Sequence, residues 1–128
     1  MTDRQRVESW IDAYERAWRT AGVKPLAALF TDDASYVQGP YHQPVVGLAA
    51  IGEMWEAERA GADEEFMMSY RIVAVDADTA VARVEVGYGA PVPQEFLDLW
   101  IMRFAVDGRC CHFEEWPYWP DATTFEPD

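Results

Sequence analysis

The stretch FLDLWIMRFAVDGRCCHFEEWPYW, residues 96–119, decides the fold. Asp107-Gly108 reads as a two-residue turn, because both central positions of a type I′ turn need positive φ, which Asp tolerates and Gly adopts freely. Val106 then faces Arg109. Counting outward, Phe104 pairs with Cys111, Met102 with Phe113, Trp100 with Glu115 and Asp98 with Pro117, and the period of two puts these side chains on one face. That face is aromatic and apolar apart from two carboxylates, Asp98 and Glu115. The expectation is a polar spot inside a hydrophobic pocket.

Upstream of this hairpin, FMMSYRIVAV and TAVARVEVGY alternate as two further long strands, and a loop bearing Pro91 and Pro93 leads into the hairpin. The first sixty residues read as helices. Thr2 or Asp3 caps a helix with Val7, Trp10, Ile11, Tyr14, Ala17 and Trp18 at helical spacing, stopped by Gly22. Pro25 opens a short second helix through Leu26, Leu29 and Phe30. Asp32-Asp33 turns the chain into a brief strand, Ala34 to Gln38. A Gly/Pro loop, residues 39–44, precedes a third helix over 48–60, with Ile51, Met54, Trp55 and Glu58 on one stripe and Gly61 after it. Helices first and antiparallel strands last describe an α+β domain in which one sheet curls over a small helical layer.

The 128 residues, half of them hydrophobic, suit a single domain over 1–128, with an acidic tail at about 121–128. Ten Lys and Arg against 23 Asp and Glu give a formal charge of −13, which repels phosphate backbones and anionic lipid; no nucleic-acid or membrane partner is expected. With no apolar leader at the start and no run long enough to span a bilayer, a cytoplasmic location is expected. Cys110 and Cys111 are adjacent on one strand and point to opposite faces, so they form no disulfide framework. The two histidines, His42 and His112, fall on different elements, and no metal site or cofactor is expected.

The pieces ALFTDDASYVQGP, PVVGLAAI with MW, RFAVDGR and FEEWPYWP, in that order, resemble the nuclear transport factor two-like superfamily, in particular its SnoaL-like bacterial branch, over nearly the whole chain. The resemblance implies a cone-shaped barrel, also called cystatin-like, of about three N-terminal helices on a strongly bent, largely antiparallel mixed sheet. It implies a pocket at the wide end and frequent dimerisation. The superfamily includes ketosteroid isomerase, polyketide cyclases, scytalone dehydratase and limonene epoxide hydrolase, so the fold does not choose the chemistry. By this resemblance the isomerase tyrosine falls on Tyr14. The isomerase base falls on Gln38, which accepts no proton at neutral pH. The acid before the RF pair falls on Trp100. Glu115 matches the terminal acid of the cyclases' EHWD-like segment, and Asp98 lies two residues from the vacant position on the same face.

Asp98, Glu115 and Tyr14 are therefore the expected catalytic residues, since an apolar wall raises a carboxyl's pKa and two close carboxylates push their titrations apart. Trp18, Tyr36, Trp55, Met68, Trp100, Met102 and Phe113 are expected to line the ligand site, with His42 at its rim; as packing alone, these aromatic residues also make an ordinary core. His112, opposite Arg103 and beside Glu114, reads as an outer-face polar cluster. Two functions follow. One is a cofactor-independent acid/base enzyme of cyclase, dehydratase, isomerase or hydrolase type on a small hydrophobic or planar metabolite. The other is a non-catalytic ligand-binding or dimerisation module. Leu97, Leu99 and Ile101 make the hairpin apolar on its second face too, which points to a homodimer through the outer sheet face.

Overall fold

The computed structural model describes residues 2–58, 65–89 and 94–120. Asp3 opens helix α1, Arg4–Trp18, and its carboxylate accepts the Arg6 N–H at 2.9 Å, satisfying one donor that a helix start leaves unpaired. The buried stripe is Val7, Trp10, Ile11, Tyr14 and Ala17. The helix ends at Trp18, short of Gly22, whose φ of 83° serves the turn that follows. Pro25 caps the single turn α2, Leu26–Leu29.

Strand β1, Phe30–Val37, starts four residues earlier than the sequence suggests and ends one earlier. Asp32-Asp33 does not turn the chain. The two residues fall, exposed, in the irregular stretch of the β1–β6 ladder between the pairs Phe30↔Cys110 and Ser35↔His112, where a solvated acidic pair is tolerated inside a strand. A two-residue strand, β2 (Val45–Val46), pairs back on β1. Helix α3, Leu48–Glu58, buries Ile51, Gly52 and Trp55. Its expected last residues, together with Gly61, the Pro91/Pro93 loop and the acidic tail, lie outside the described residues.

Four long strands complete the sheet: β3 (Phe66–Asp76), β4 (Thr79–Tyr88), β5 (Gln94–Phe104) and β6 (Cys110–Tyr118). The order is β2-β1-β6-β5-β4-β3, with β1 and β6 parallel and every other pair antiparallel. This is the expected α+β architecture of three helices on a mixed sheet, but the sheet does not close into a barrel.

The hairpin reaches the expected register by a different route. Gly108 N–H bonds the Ala105 carbonyl at 3.0 Å and Ala105 N–H bonds the Arg109 carbonyl at 2.8 Å, so the loop has three residues, Val106 to Gly108. Only Gly108 takes positive φ, at 90°, which fits a type I turn followed by a left-handed glycine, not the two-residue type I′ turn. Phe104 accordingly pairs with Cys110, not Cys111. A bulge at Cys111 then absorbs one residue and restores Met102↔Phe113, Trp100↔Glu115 and Asp98↔Pro117. Cys110 is the buried cysteine, and burial pushes its thiol up to about 12.

Candidate functional site

Helix α1 presents three aromatics four residues apart, Trp10, Tyr14 and Trp18, each about 6 Å further along the axis than the last. Trp10 plugs the closed end. Its indole N–H donates to the Leu29 carbonyl at 2.9 Å, and Phe30, Phe104 and Phe113 surround its ring at 5.6–5.7 Å. Tyr14 forms the next layer, 4.6 Å from Trp100 and 5.5 Å from Phe113. Above it opens a cavity of about 280 Å³. Tyr14, Trp18, Tyr36, Gln38 and Glu58 line one side; Phe66, Met68, Val86 and Tyr88 come from β3 and β4; Phe96, Asp98, Trp100, Glu115 and Pro117 come from the hairpin.

The structure thus brings Asp98, Glu115, Tyr14, Trp18, Tyr36, Met68 and Trp100 to one wall system. Four expected lining residues stand elsewhere. Met102 and Phe113, cross-strand partners two residues along from Trp100 and Glu115, are fully buried and do not line the cavity. Trp55 lies behind the cavity, edge-on to Tyr14 at 5.0 Å and Trp18 at 4.8 Å. His42 is exposed in a turn closed by its own N–H to the Gly39 carbonyl.

Polar groups at the cavity form a chain. The Tyr14 and Tyr36 hydroxyls are 2.8 Å apart and buried. Tyr36 and Gln38 hydrogen-bond to Glu115, and the Gln38 amide also donates to Glu58. Burial, then the charges of Asp98 and Glu58, push Glu115 from an ordinary 4.5 to about 8, against the Tyr36 and Gln38 hydrogen bonds that favour its ionised form. Asp98 is 8% exposed. Burial raises its carboxyl too, opposed by a long 3.4 Å hydrogen bond from the Trp100 indole to Oδ2, while Oδ1 has no partner among the described residues. Repulsion within the pair falls on Glu115, the second of the two to ionise. Burial and the Glu115 charge hold both phenols well above their usual pKa, so they stay neutral donors. Among the described residues no three His, Cys, Asp or Glu side chains converge to hold a metal ion.

Sequence reasoning passed over Glu58, Phe66, Val86, Tyr88, Phe96 and Pro117 as site residues. Parity held the signal for most of them, since the ladder pairs Phe66↔Tyr88, Met68↔Val86 and Val86↔Phe96 continue the inner face outward from Asp98. On the outer face Ser35 Oγ lies 2.6 Å from His112 Nδ1, and His112 Nε2 lies 2.9 Å from Glu114. The direct cross-strand pair Ser35↔His112 accounts for this cluster.

The SnoaL-like domain family matches residues 10–113, and the chain belongs to it. No curated protein matches the sequence. Among solved structures the chain is similar to a protein provisionally named a ketosteroid isomerase from Kribbella flavida DSM 17836, at 19% identity and TM-score 0.69 over 100% of this chain and 87% of that one. It is similar to SalBIII, an epoxide hydrolase/cyclase-like enzyme of pyran ring formation in the polyether salinomycin, at 14% identity and TM-score 0.71 over 92% and 95%. An LEH-like epoxide hydrolase of M. tuberculosis is similar at 12% identity and TM-score 0.65 over 89% and 84%. At these identities the likeness is one of fold. No helix among the described residues is long and apolar enough to cross a membrane.

Proposed function

We propose that this chain is an acid/base enzyme of cyclase, isomerase, dehydratase or hydrolase type, acting on a small hydrophobic molecule with its own carboxyl and phenol groups as proton carriers. The observation that carries the reading is the pair of buried carboxyls on one aromatic cavity, Asp98 with a bare oxygen and Glu115 holding its proton to about pH 8. Asp98 is the first of the pair to ionise, and Glu115, titrating near 8, mostly keeps its proton at neutrality. Asp98 accepts a proton from the ligand or balances positive charge developing on it; Glu115 supplies a proton.

The phenols make the supply directional. Each hydroxyl has one proton. When Glu115 is ionised, Tyr36 donates to it and Tyr14 donates to Tyr36, which ties up both protons. When Glu115 is protonated, the chain reverses: Glu115 donates to Tyr36, Tyr36 to Tyr14, and the Tyr14 proton is free for an oxygen in the cavity. A neutral phenol in a site of low dielectric is a strong stabiliser of a developing oxyanion.

The test uses two probe substrates, a small aryl epoxide and a β,γ-unsaturated ketone. Wild type is expected to turn over at least one, and Asp98→Asn and Glu115→Gln to lose about a hundredfold or more, with melting midpoints unchanged or raised. A wild-type rate no greater than that of the double variant on both probes overturns the proposal.

A further inference from the structure

Among the described residues, every ionisable side chain lining this cavity is an acid or a phenol. Asp98, Glu115 and Glu58 contribute carboxyls, Tyr14, Tyr36 and Tyr88 contribute phenols, and no Lys, Arg or His lines it among the described residues. A nearby cation, Arg19, is engaged outside: its guanidinium lies 2.9 Å from Glu15, donates to the Phe66 carbonyl at 3.0 Å and stacks 3.8 Å from the Phe66 ring centre. Asp98 Oδ1 is the independent sign of an occupant. The atom itself is buried in a residue only 8% exposed, it finds no donor among the described residues, and the residue stands on the cavity wall. A buried acceptor left bare is costly, so a ligand that brings a donor to it gains more than a hydrogen bond in water would give.

We propose that the occupant of this cavity is a hydrophobic amine, held as its ammonium with an N–H donated to Asp98 Oδ1 and its carbon skeleton against the aromatic wall. The inference rests on taking this cavity as the functional site and names the substrate class for it. Three properties favour an ammonium over a neutral or anionic ligand. The ammonium is a donor only, which suits an acceptor that has no donor. Trp18, Phe66, Tyr88, Phe96 and Trp100 present π-systems at the same cavity, and a cation is drawn to their faces. The formal charge of −13 concentrates cations at the surface and repels carboxylates and phosphates. The space, about 280 Å³, is at the small end of ligand sites and suits one or two fused rings. With the ammonium against Asp98, Glu115 and the Tyr36–Tyr14 chain remain the proton carriers.

The experiment is calorimetric titration of the whole chain with three matched probes: 2-naphthylmethylamine, 2-naphthylmethanol and 2-naphthoate. The amine is expected to bind at least tenfold tighter than the alcohol, with the carboxylate weakest. Asp98→Asn, nearly equal in shape, is expected to erase the preference for the amine while alcohol binding persists. Glu58→Gln, at an exposed position, is expected to weaken the amine a few-fold and leave the alcohol unchanged. Amine binding no tighter than alcohol binding, or no binding of any probe, overturns the inference from wild type alone. A preference that survives in Asp98→Asn overturns the assigned anchor. Because these are equilibrium measurements, amine selectivity in a chain without turnover on the epoxide and ketone probes would contradict the enzymatic reading and leave this one standing. Acid-dependent turnover without amine selectivity would do the reverse.

Discussion

The Tyr36 hydroxyl, 2.8 Å from that of Tyr14, is the middle link between the first helix and Glu115 on the last strand. Its single proton cannot serve both neighbours at once, and that competition couples the charge on Glu115 to what Tyr14 offers the cavity. Tyr36→Phe should therefore act at both ends. Removing the hydroxyl leaves buried polar partners unpaired, at about 1–3 kcal/mol, and withdraws a hydrogen bond that lowers the Glu115 pKa, so the carboxyl should titrate higher still. Denaturant unfolding and carboxyl-resolved NMR titration of Tyr36→Phe check the two effects separately. Tyr14→Phe, one link further away, should move Glu115 less.

Glu115 also sets a sign for stability against pH. Its folded pKa of about 8 lies above the ordinary 4.5, so between those values the folded chain binds more protons than the unfolded one and stability falls as pH rises. The slope approaches about 1.4 kcal/mol per pH unit and levels off above pH 8. Glu115→Gln should remove this component, leaving the variant progressively more stable than wild type from about pH 5 to pH 8. Parallel stability curves for the two proteins across that range would show that Glu115 titrates normally.

Two turns place a residue at positive φ, and substitution there reads the backbone cost. Ala77, between β3 and β4, has φ 54°, a left-handed conformation that costs a non-glycine residue about 1 kcal/mol or more. Ala77→Gly should gain roughly 0.5–1 kcal/mol after the entropy of a freer unfolded chain is subtracted. Gly108 has φ 90° and open space around the site of a Cβ, so the cost of Gly108→Val is one of backbone and not of packing. It should lose about 1–3 kcal/mol, and Gly108→Asn, which tolerates this region, clearly less.

The outer face leads to a further expectation. Leu97, Leu99 and Ile101 on β5 lie beside Tyr118 and Trp116 on β6 and Val81 on β4, with Arg83, Glu85 and Glu114 among them. An apolar centre with both charge signs at its border suits a self-complementary contact about a two-fold axis. Light scattering at micromolar concentration should return about twice 14.6 kDa, and Leu99→Lys should return the single-chain mass. A wild-type monomer at that concentration contradicts the dimer.

The hairpin shows why much of the inner face was legible from sequence. A period of two fixes which residues of one strand share a face, so Asp98, Trp100 and Met102 follow from it whatever the turn, while Glu115 joins them only through the register of the hairpin. The turn itself was misread. A three-residue loop shifts the ladder by one and the bulge at Cys111 shifts it back, so the register near Glu115 survives while the pairing of Phe104 does not. Bulges leave no mark in hydrophobic periodicity because the extra residue, here a cysteine, suits either face. The cavity's depth was not legible either. Whether Phe113 lines space or fills it depends on how closely Trp10 and Tyr14 approach the sheet, a distance set by packing and not by spacing. Tyr36 and Glu115 come together only because β1 runs parallel to β6, a pairing across more than seventy residues that local pattern does not reveal.

The most direct test is the titration of the Glu115 side-chain carboxyl, followed by carbon NMR in wild type and in Asp98→Asn. A pair of buried carboxyls at one cavity predicts a midpoint near pH 8 in wild type and a lower one once the Asp98 charge is removed. A wild-type midpoint near 4.5, unmoved by Asp98→Asn, would mean that Glu115 is solvated and independent of Asp98, and would contradict the acid/base site proposed for this fold.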